Sequence, residues 1–359
     1  MKPRHSQPLI FILALIMSTS LSCSVLPGGG AQGSQPTGFT PPTQSPPTGT
    51  PQNQVPFELD SRQYMHPSGA FSFFPPAGWS QDTSGNGSVT LLSPDQIASI
   101  YVTVSNTGYE LTGQGFLNFA QSVEENFFRD RDQYRSLDSQ TDPASDLIFK
   151  KTFMVNDVLQ QVVSIYHQEG IAIYNVDYQA ESSQANPYMQ AFQQIKFQYD
   201  PSKVTSLPVY NFTYKFKGPK NLFEIEVPLS WKQETSTDVN LIVDSIHAPD
   251  EHASIESIVY DDGYPYAKAD AGQATLRLLN EFYTNGAGDI SITEDSIMED
   301  RRERLTWESK QGGFSGITTF EVRNETSLII FSVLYDNPYE DTYRGVLEYV
   351  IDTYEIPQD

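Results

Sequence analysis

The chain repeats itself. The segment AFSFFPPAGWS at 70–80 returns as LFEIEVPLSWK at 222–232, matching Phe71 with Phe223, Phe73 with Ile225, Pro76 with Pro228 and Trp79 with Trp231. SPDQIASIYV at 93–102 returns as APDEHASIES at 248–257. The offset of 155 then carries through Gly108-Tyr109 and Gly263-Tyr264 to Phe127-Phe128 and Phe282-Tyr283. A single match of this kind carries little weight, but an ordered series predicts two tandem copies of one folding unit. The junction falls near DPSKVTSLP at 200–208.

Each copy reads as antiparallel α+β. AFSFFP alternates apolar and polar residues before a Pro-Pro break, and SVTLLS and ASIYVTVS alternate in the same way, as strands half-buried on one face do. Phe116, Ala120, Val123 and Phe127 recur at helical spacing, and Ala271, Thr275, Leu278 and Phe282 take those places in the second copy, where Ala274 can share the face. Three further strands follow in copy one, LIFKKTFMV, QQVVSIYHQ and IAIYNVDYQ, punctuated by Asn156-Asp157 and Glu169-Gly170, both good turn chemistry. RLTWESK, GITTFEV and SLIIFSVLY do the same work in copy two. Asn186-Pro187-Tyr188 and Asn337-Pro338-Tyr339 match near the ends of the copies. They predict a closing helix in each, with Asn as the cap and Pro at the first helical position. Trp79, Trp231 and Trp307 are expected in the core or at its rim.

On the opening HPSGAFSFFPPAGW, its counterpart FEIEVPLSW and this element order, each copy resembles a PsbP/Mog1-type domain, the family of the extrinsic photosystem II protein and its bacterial relatives. The resemblance covers about 56–200 and 208–356. It implies an antiparallel sheet sandwiched by helices, and it brings no metal or reaction-centre residues with it. The doubled form departs from the single-domain one.

The N-terminus has a different character. Lys2 and Arg4 precede the apolar run LIFILALIM at 9–17, which is too short to span a bilayer as a helix, for which about 20 apolar residues are needed. It reads as a signal-peptide core. Cys23, the single cysteine, follows Leu21 and Ser22, and the arrangement resembles a bacterial lipoprotein signal whose cysteine carries the lipid. An unpaired thiol in an oxidising compartment is a liability that acylation removes. A signal at 1–22 and a lipidated Cys23 imply an extracytoplasmic protein anchored to the cell membrane. Residues 24–55 carry no charge and are dominated by Gly, Pro, Ser, Thr and Gln, a composition that cannot offset its ordering entropy. The expected organisation is therefore a signal peptide at 1–22, a disordered tether at 23–55, a first domain at 56–200 and a second at 208–359.

Charge narrows the partners. Without the signal, 20 basic side chains face 45 acidic ones, and both halves are acidic. Nucleic acid is an unsuitable partner, because its binding requires basic groups that displace counterions. Direct adhesion to anionic lipid heads is disfavoured too. No His-Glu-x-x-His, Gly-x-Ser-x-Gly, Ser-x-x-Lys or phosphate-binding glycine loop occurs. The cluster HAPDEHASIESIVYDDGYPY at 247–266 offers His247, Asp250, Glu251, His252, Asp261 and Asp262 as ligands for Ca or Mn, although their spacing fits no standard loop. The resulting expectation is a non-catalytic, membrane-anchored protein whose twin domains bind a protein or small ligand. A divalent-cation binding or delivery protein is the alternative, and a hydrolase built on scattered carboxylates stands behind both.

Overall fold

The computed structural model describes residues 57–83, 87–265, 268–284, 288–299 and 302–357. The signal, Cys23 and the tether to residue 55 lie outside the described residues.

The first copy contains strands β1 (Tyr64–Met65), β2 (Phe71–Phe73), β3 (Ser80–Asp82), β4 (Ser88–Leu92), β5 (Ala98–Asn106), β6 (Arg135–Ser136), β7 (Leu147–Val155), β8 (Val158–Glu169), β9 (Ala172–Glu181) and β10 (Gln198–Tyr199). Helices α1 (Gln114–Phe128) and α2 (Ala185–Phe192) complete it. The second copy has β11 (Thr213–Lys217), β12 (Glu224–Pro228), β13 (Lys232–Thr237), β14 (Leu241–His247), β15 (Ala253–Asp261), β16 (Ile290–Ile297), β17 (Glu303–Ser309), β18 (Phe314–Arg323) and β19 (Ser327–Asp336), with helices α3 (Lys268–Thr284) and α4 (Glu340–Asp352).

Two seven-stranded antiparallel sheets result, ordered β3-β4-β5-β9-β8-β7-β6 and β13-β14-β15-β19-β18-β17-β16. The orders are the same, and so is the register. Ala98 faces Ala180 in the first sheet, and Ala253 faces Tyr335 in the second. Even the turns correspond. Gln96 and Glu251 are both left-handed, with φ of 61° and 65°, in tight turns closed by Ser93 N–H to Ala98 O and Ala248 N–H to Ala253 O. Asn156 and Asp157, at φ 48° and 64°, form the two-residue β7–β8 connection, where Asn and Asp tolerate the left-handed backbone that matches strand twist. The fold is α+β, as the alternation and helical spacings indicate.

Each sheet is covered on both faces. In the first copy Phe71 and Phe73 of β2 with Tyr188 and Phe192 of α2 cover one face, over Val102, Val104, Tyr174 and Val176. In the second copy Phe223, Ile225 and Val227 with Tyr343, Leu347 and Val350 of α4 do so, and α3 packs on the other face against Trp307, Phe320 and Ile330. The core is continuous across the junction, because Phe116, Phe119 and Ala120 of α1 belong to the same apolar cluster as Trp231 and Tyr343. Asn118 donates to Pro249 O, and Asn126 to Leu229 O and Trp231 O, so α1 lies between the first sheet and the second copy. Residues 55–359 accordingly form one compact unit.

Two local expectations need correction. The inward row of α1 runs Phe116, Ala120, Glu124 and Phe128, whereas Phe127 is exposed and stacks on Tyr101. Among the described side chains of α3, Thr275 and Leu279 are the fully buried members. The Asn-Pro-Tyr pairing is also out of register by one helical turn. Asn186 lies inside α2, which is preceded by Gln184, and Asn337 precedes α4 in a 3-10 turn; neither helix has a side-chain cap. The true counterpart of Tyr188 is Tyr343. Each packs on the repeat's tryptophan, Trp79 or Trp231, and each donates its hydroxyl to the turn aspartate, Asp95 or Asp250.

Candidate functional site

The six residues of the expected cation set do not gather. His247, Asp250, Glu251 and His252 surround the β14–β15 turn, while Asp261 and Asp262 lie at the far end of the nine-residue strand β15, roughly 25 Å away at strand rise. Asp250 accepts from Tyr343 Oη at 2.7 Å and from His252 N–H, which makes it part of the strut repeated as Asp95–Tyr188. His252 pairs with Asp336 at 2.8 Å and stacks on Tyr339. Asp261 takes Lys220 and Ser327, and Asp262 takes Tyr260 and the Tyr264 N–H. Among the described residues no three His, Cys, Asp or Glu side chains come together as a metal-binding group.

The chemistry concentrates elsewhere, between α1 and the first sheet. Four elements send polar side chains into the interior there. Lys151 of β7 is completely buried, ion-paired with Glu124 of α1, and donates to Ser164 Oγ of β8 at 2.7 Å. Ser164 Oγ in turn donates to Asp177 of β9. Tyr166 Oη donates to Glu124 at 2.9 Å, and the Phe128 ring sits 3.6 Å from the Lys151 ammonium. Burial pulls the Lys151 ammonium down from its ordinary range, against the opposing pull of Glu124 and Asp177. Burial pushes the Asp177 carboxyl up to about 6, with Lys151 resisting and Glu124 adding to the rise.

A small pocket opens beside this network, with a cavity volume of about 40 Å³. Its floor is polar, formed by Thr103 and Ser105 of β5 and by Asn175 and Asp177 of β9. Its walls are apolar and aromatic: Phe119, Val123 and Phe127 on α1, and Tyr210, Phe212 and Leu229 from the junction and second copy. Asn175 is 6% exposed, and its Oδ1 has no hydrogen-bond partner. A buried acceptor in that state costs about 1–3 kcal/mol.

The repeat supplies an internal control. Following the strand pairings outward from β5 and β15, Asp177 corresponds to Ser332, Ser164 to Thr318, Tyr166 to Phe320 and Lys151 to Trp307. The helical offset places Leu279 where Glu124 stands. In the second copy Trp307 Nε1 donates to Thr318 Oγ1 at 2.9 Å, Thr318 contacts Ser332 Oγ at 2.8 Å, and Tyr283 stacks on Trp307 as Phe128 covers Lys151. Thr103 and Asn175 likewise become Ile258 and Ile330. One carboxylate remains on this face, Glu256 at the position of Tyr101, and it accepts from Tyr283 Oη at 2.6 Å. The sheet therefore closes without a buried lysine or its ion pair, and the Lys151–Glu124–Asp177 network of the first copy is not a requirement of the fold.

Sequence reading missed this site because its members look like ordinary surface charges. The signal lay in the periods. Lys151 falls in phase with Leu147, Phe149 and Phe153, Glu124 with Phe116, Ala120 and Phe128, and Asp177 with Ile173 and Asn175.

No family model and no curated protein matches the chain. Among solved structures it is similar to cyanobacterial PsbP (CyanoP) from Synechocystis sp. PCC 6803, at 12% identity over 40% of this chain and 92% of that one, with a TM-score of 0.32. It is also similar to a crystal structure from Bacteroides thetaiotaomicron VPI-5482, at 14% identity over 46% of this chain and 52% of that one, TM-score 0.27. A third likeness is to the immunity protein TplEi of T6SS from Pseudomonas aeruginosa, at 10% identity over 78% of this chain and 97% of that one, TM-score 0.23. Likenesses at this level concern fold and carry nothing about ligand or partner.

Proposed function

We propose that the chain is a non-catalytic, lipid-anchored binding protein of the extracytoplasmic face of the cell membrane, with a small-molecule site between α1 and the first sheet. The pocket with its orphaned Asn175 acceptor carries this reading. A buried polar atom without a partner, on the floor of an aromatic-walled pocket, is what a ligand-binding site presents before its ligand arrives. The second copy supports it, because the equivalent positions are filled with Ile258 and Ile330. One copy binds and the other buttresses, closing the pocket with Leu229 and Ser230. The apolar run at 9–17 and Cys23 support the anchoring half of the proposal. Ser164, the hydroxyl held between Lys151 and Asp177, is fully buried and does not line the pocket, so the network acts on a ligand by charge and hydrogen bonding.

The test is to extract the protein gently from its own membranes and to identify, by mass spectrometry, small molecules released on denaturation. The wild type is expected to release a defined compound in near-stoichiometric amount. The Thr103→Ile/Asn175→Ile variant, which copies the second half, is expected to release none. Equal recovery from both, or none from the wild type, defeats the proposal.

A further inference from the structure

The chemistry of the ligand follows from a charge count and from the donor inventory. This step rests on the pocket being a binding site, as proposed above. The buried network contains one ammonium, Lys151, and two carboxylates, Glu124 and Asp177. Glu124 is taken up by Lys151 and Tyr166 and stands behind the wall. Asp177 is the member that lines the pocket. Ionised, the three leave one negative charge in excess at the pocket floor, where Lys151 is the cation that acts on Asp177, while Arg131 lies farther out over the Phe127 ring.

The remaining floor groups point the same way. Asn175 Oδ1 can only accept and lacks a donor. Asp177 when ionised can only accept, and it already takes the Ser164 hydroxyl and the Asn175 amide, neither of which carries a charge. Thr103 and Ser105 are hydroxyls that adapt to either role. A ligand must therefore bring hydrogen-bond donors and a positive charge to this end. Around this floor it meets Phe119, Phe127, Phe212 and Tyr101, which stands directly across from Asp177 and is parallel to Phe127 within 2°. Aromatic faces suit an apolar body and also favour a cation near their π-surfaces.

We infer that the pocket takes a small organic monocation, an amine or amidine whose N–H groups reach Asp177 and Asn175 Oδ1 while its apolar body lies against the aromatic wall. An anionic ligand would add a second uncompensated charge beside Asp177 and is rejected. A neutral alcohol of the same shape leaves the charge unmatched and binds more weakly.

Calorimetry with three probes of one shape tests this on the full chain: benzylamine, benzyl alcohol and benzoate. Benzylamine is expected to bind at least tenfold more tightly than the other two. Asp177→Asn, which keeps a hydrogen-bonding side chain where the second copy has Ser332, is expected to cost benzylamine about tenfold or more, the worth of a charge-assisted hydrogen bond. The variant should leave benzyl alcohol within about threefold. Benzylamine affinity should also weaken as pH falls below about 6, as Asp177 takes up its proton. The groups that face it are Lys151, Glu124, Ser164, Asn175, Tyr101 and Tyr166. Equal or tighter binding of benzoate or benzyl alcohol, an unchanged amine affinity in Asp177→Asn, or no heat from any probe overturns the inference. None of these touches the reading of the pocket itself, which stands or falls on the compound released from the native protein.

Discussion

Lys151 and Trp307 occupy one position in two copies of the same sheet. Lys151 faces Val162 across β7 and β8, and Trp307 faces Gly316 across β17 and β18. Both side chains are completely buried. Trp307 fits because Gly316 has no side chain; a Cβ there would come within 2.4 Å of the indole. The first copy keeps Val162 and threads a lysine instead, which requires Glu124 in place of Leu279. The two solutions have opposite energetics. An aromatic packed on glycine is stabilised by apolar burial, while a buried ion pair barely offsets its own desolvation.

Removing one partner of that pair should therefore be far worse than removing both. Lys151→Met leaves Glu124 and Asp177 without their cation and is expected to lower stability by about 3–5 kcal/mol. The double variant Glu124→Leu/Lys151→Met should recover more than half of that loss. Urea denaturation of the three proteins at pH 7.5 reads the difference, and additive losses would refute the pairing argument.

Asp177 should give the protein a characteristic pH dependence. Its folded-state value is raised to about 6 by burial, from about 3.9 in an unfolded chain. Between those values the folded chain holds a proton that the unfolded chain has released. The contribution to stability is therefore complete at the acid end and is lost as pH rises through about 6. The stability of the wild type relative to Asp177→Asn should fall by on the order of 2–3 kcal/mol between pH 4 and pH 7. A flat difference would show that Asp177 titrates normally.

The repeated tyrosine strut predicts an asymmetry between the copies. Tyr343 bridges Tyr210 and Asp250 inside the shared core, where Asp250 is pushed up by burial. Tyr343→Phe leaves that buried carboxyl with the longer His252 N–H bond alone and should cost about 1–3 kcal/mol. The corresponding bond from Tyr188 to Asp95 is longer, 3.2 Å, and Asp95 is far less buried. Tyr188→Phe should cost under about 1 kcal/mol. Melting curves of the two variants that coincide would count against the comparison.

Packing between the halves can be probed at one atom. Gly108 has φ 78°, and a Cβ added there would meet Thr342 Cγ2 at 2.8 Å and Val209 at 3.3 Å. Gly108→Ala combines a left-handed backbone penalty with overpacking and should lose about 2–4 kcal/mol. Limited proteolysis of the variant should open the 200–212 junction first. Protection equal to the wild type would mean that the halves separate at no cost.

The proposed anchor has its own test. Cys23→Ser should release the exported protein from membranes into the soluble fraction while ligand recovery from the pocket is retained. Persistence in the membrane fraction would rule out attachment through the thiol.

The repeat, the strand alternation, the helical periods and the turns at Asn156-Asp157 and Glu169-Gly170 follow from the order of residues along the chain, because each depends on neighbours a few positions apart. That order was enough for two α+β units and for the acidic balance of both halves. It misjudged the Asn-Pro-Tyr match, where identical tripeptides sit one turn apart on their helices, and it grouped His252 with Asp261, which a full strand length separates. Only the tertiary structure brought Glu124, Lys151, Ser164 and Asp177 together, since one helix and three strands must pack in register before their side chains meet. Charge in a sequence does not say whether it faces water; burial between α1 and the first sheet does, and it turned four ordinary-looking residues into the floor and backing of a pocket.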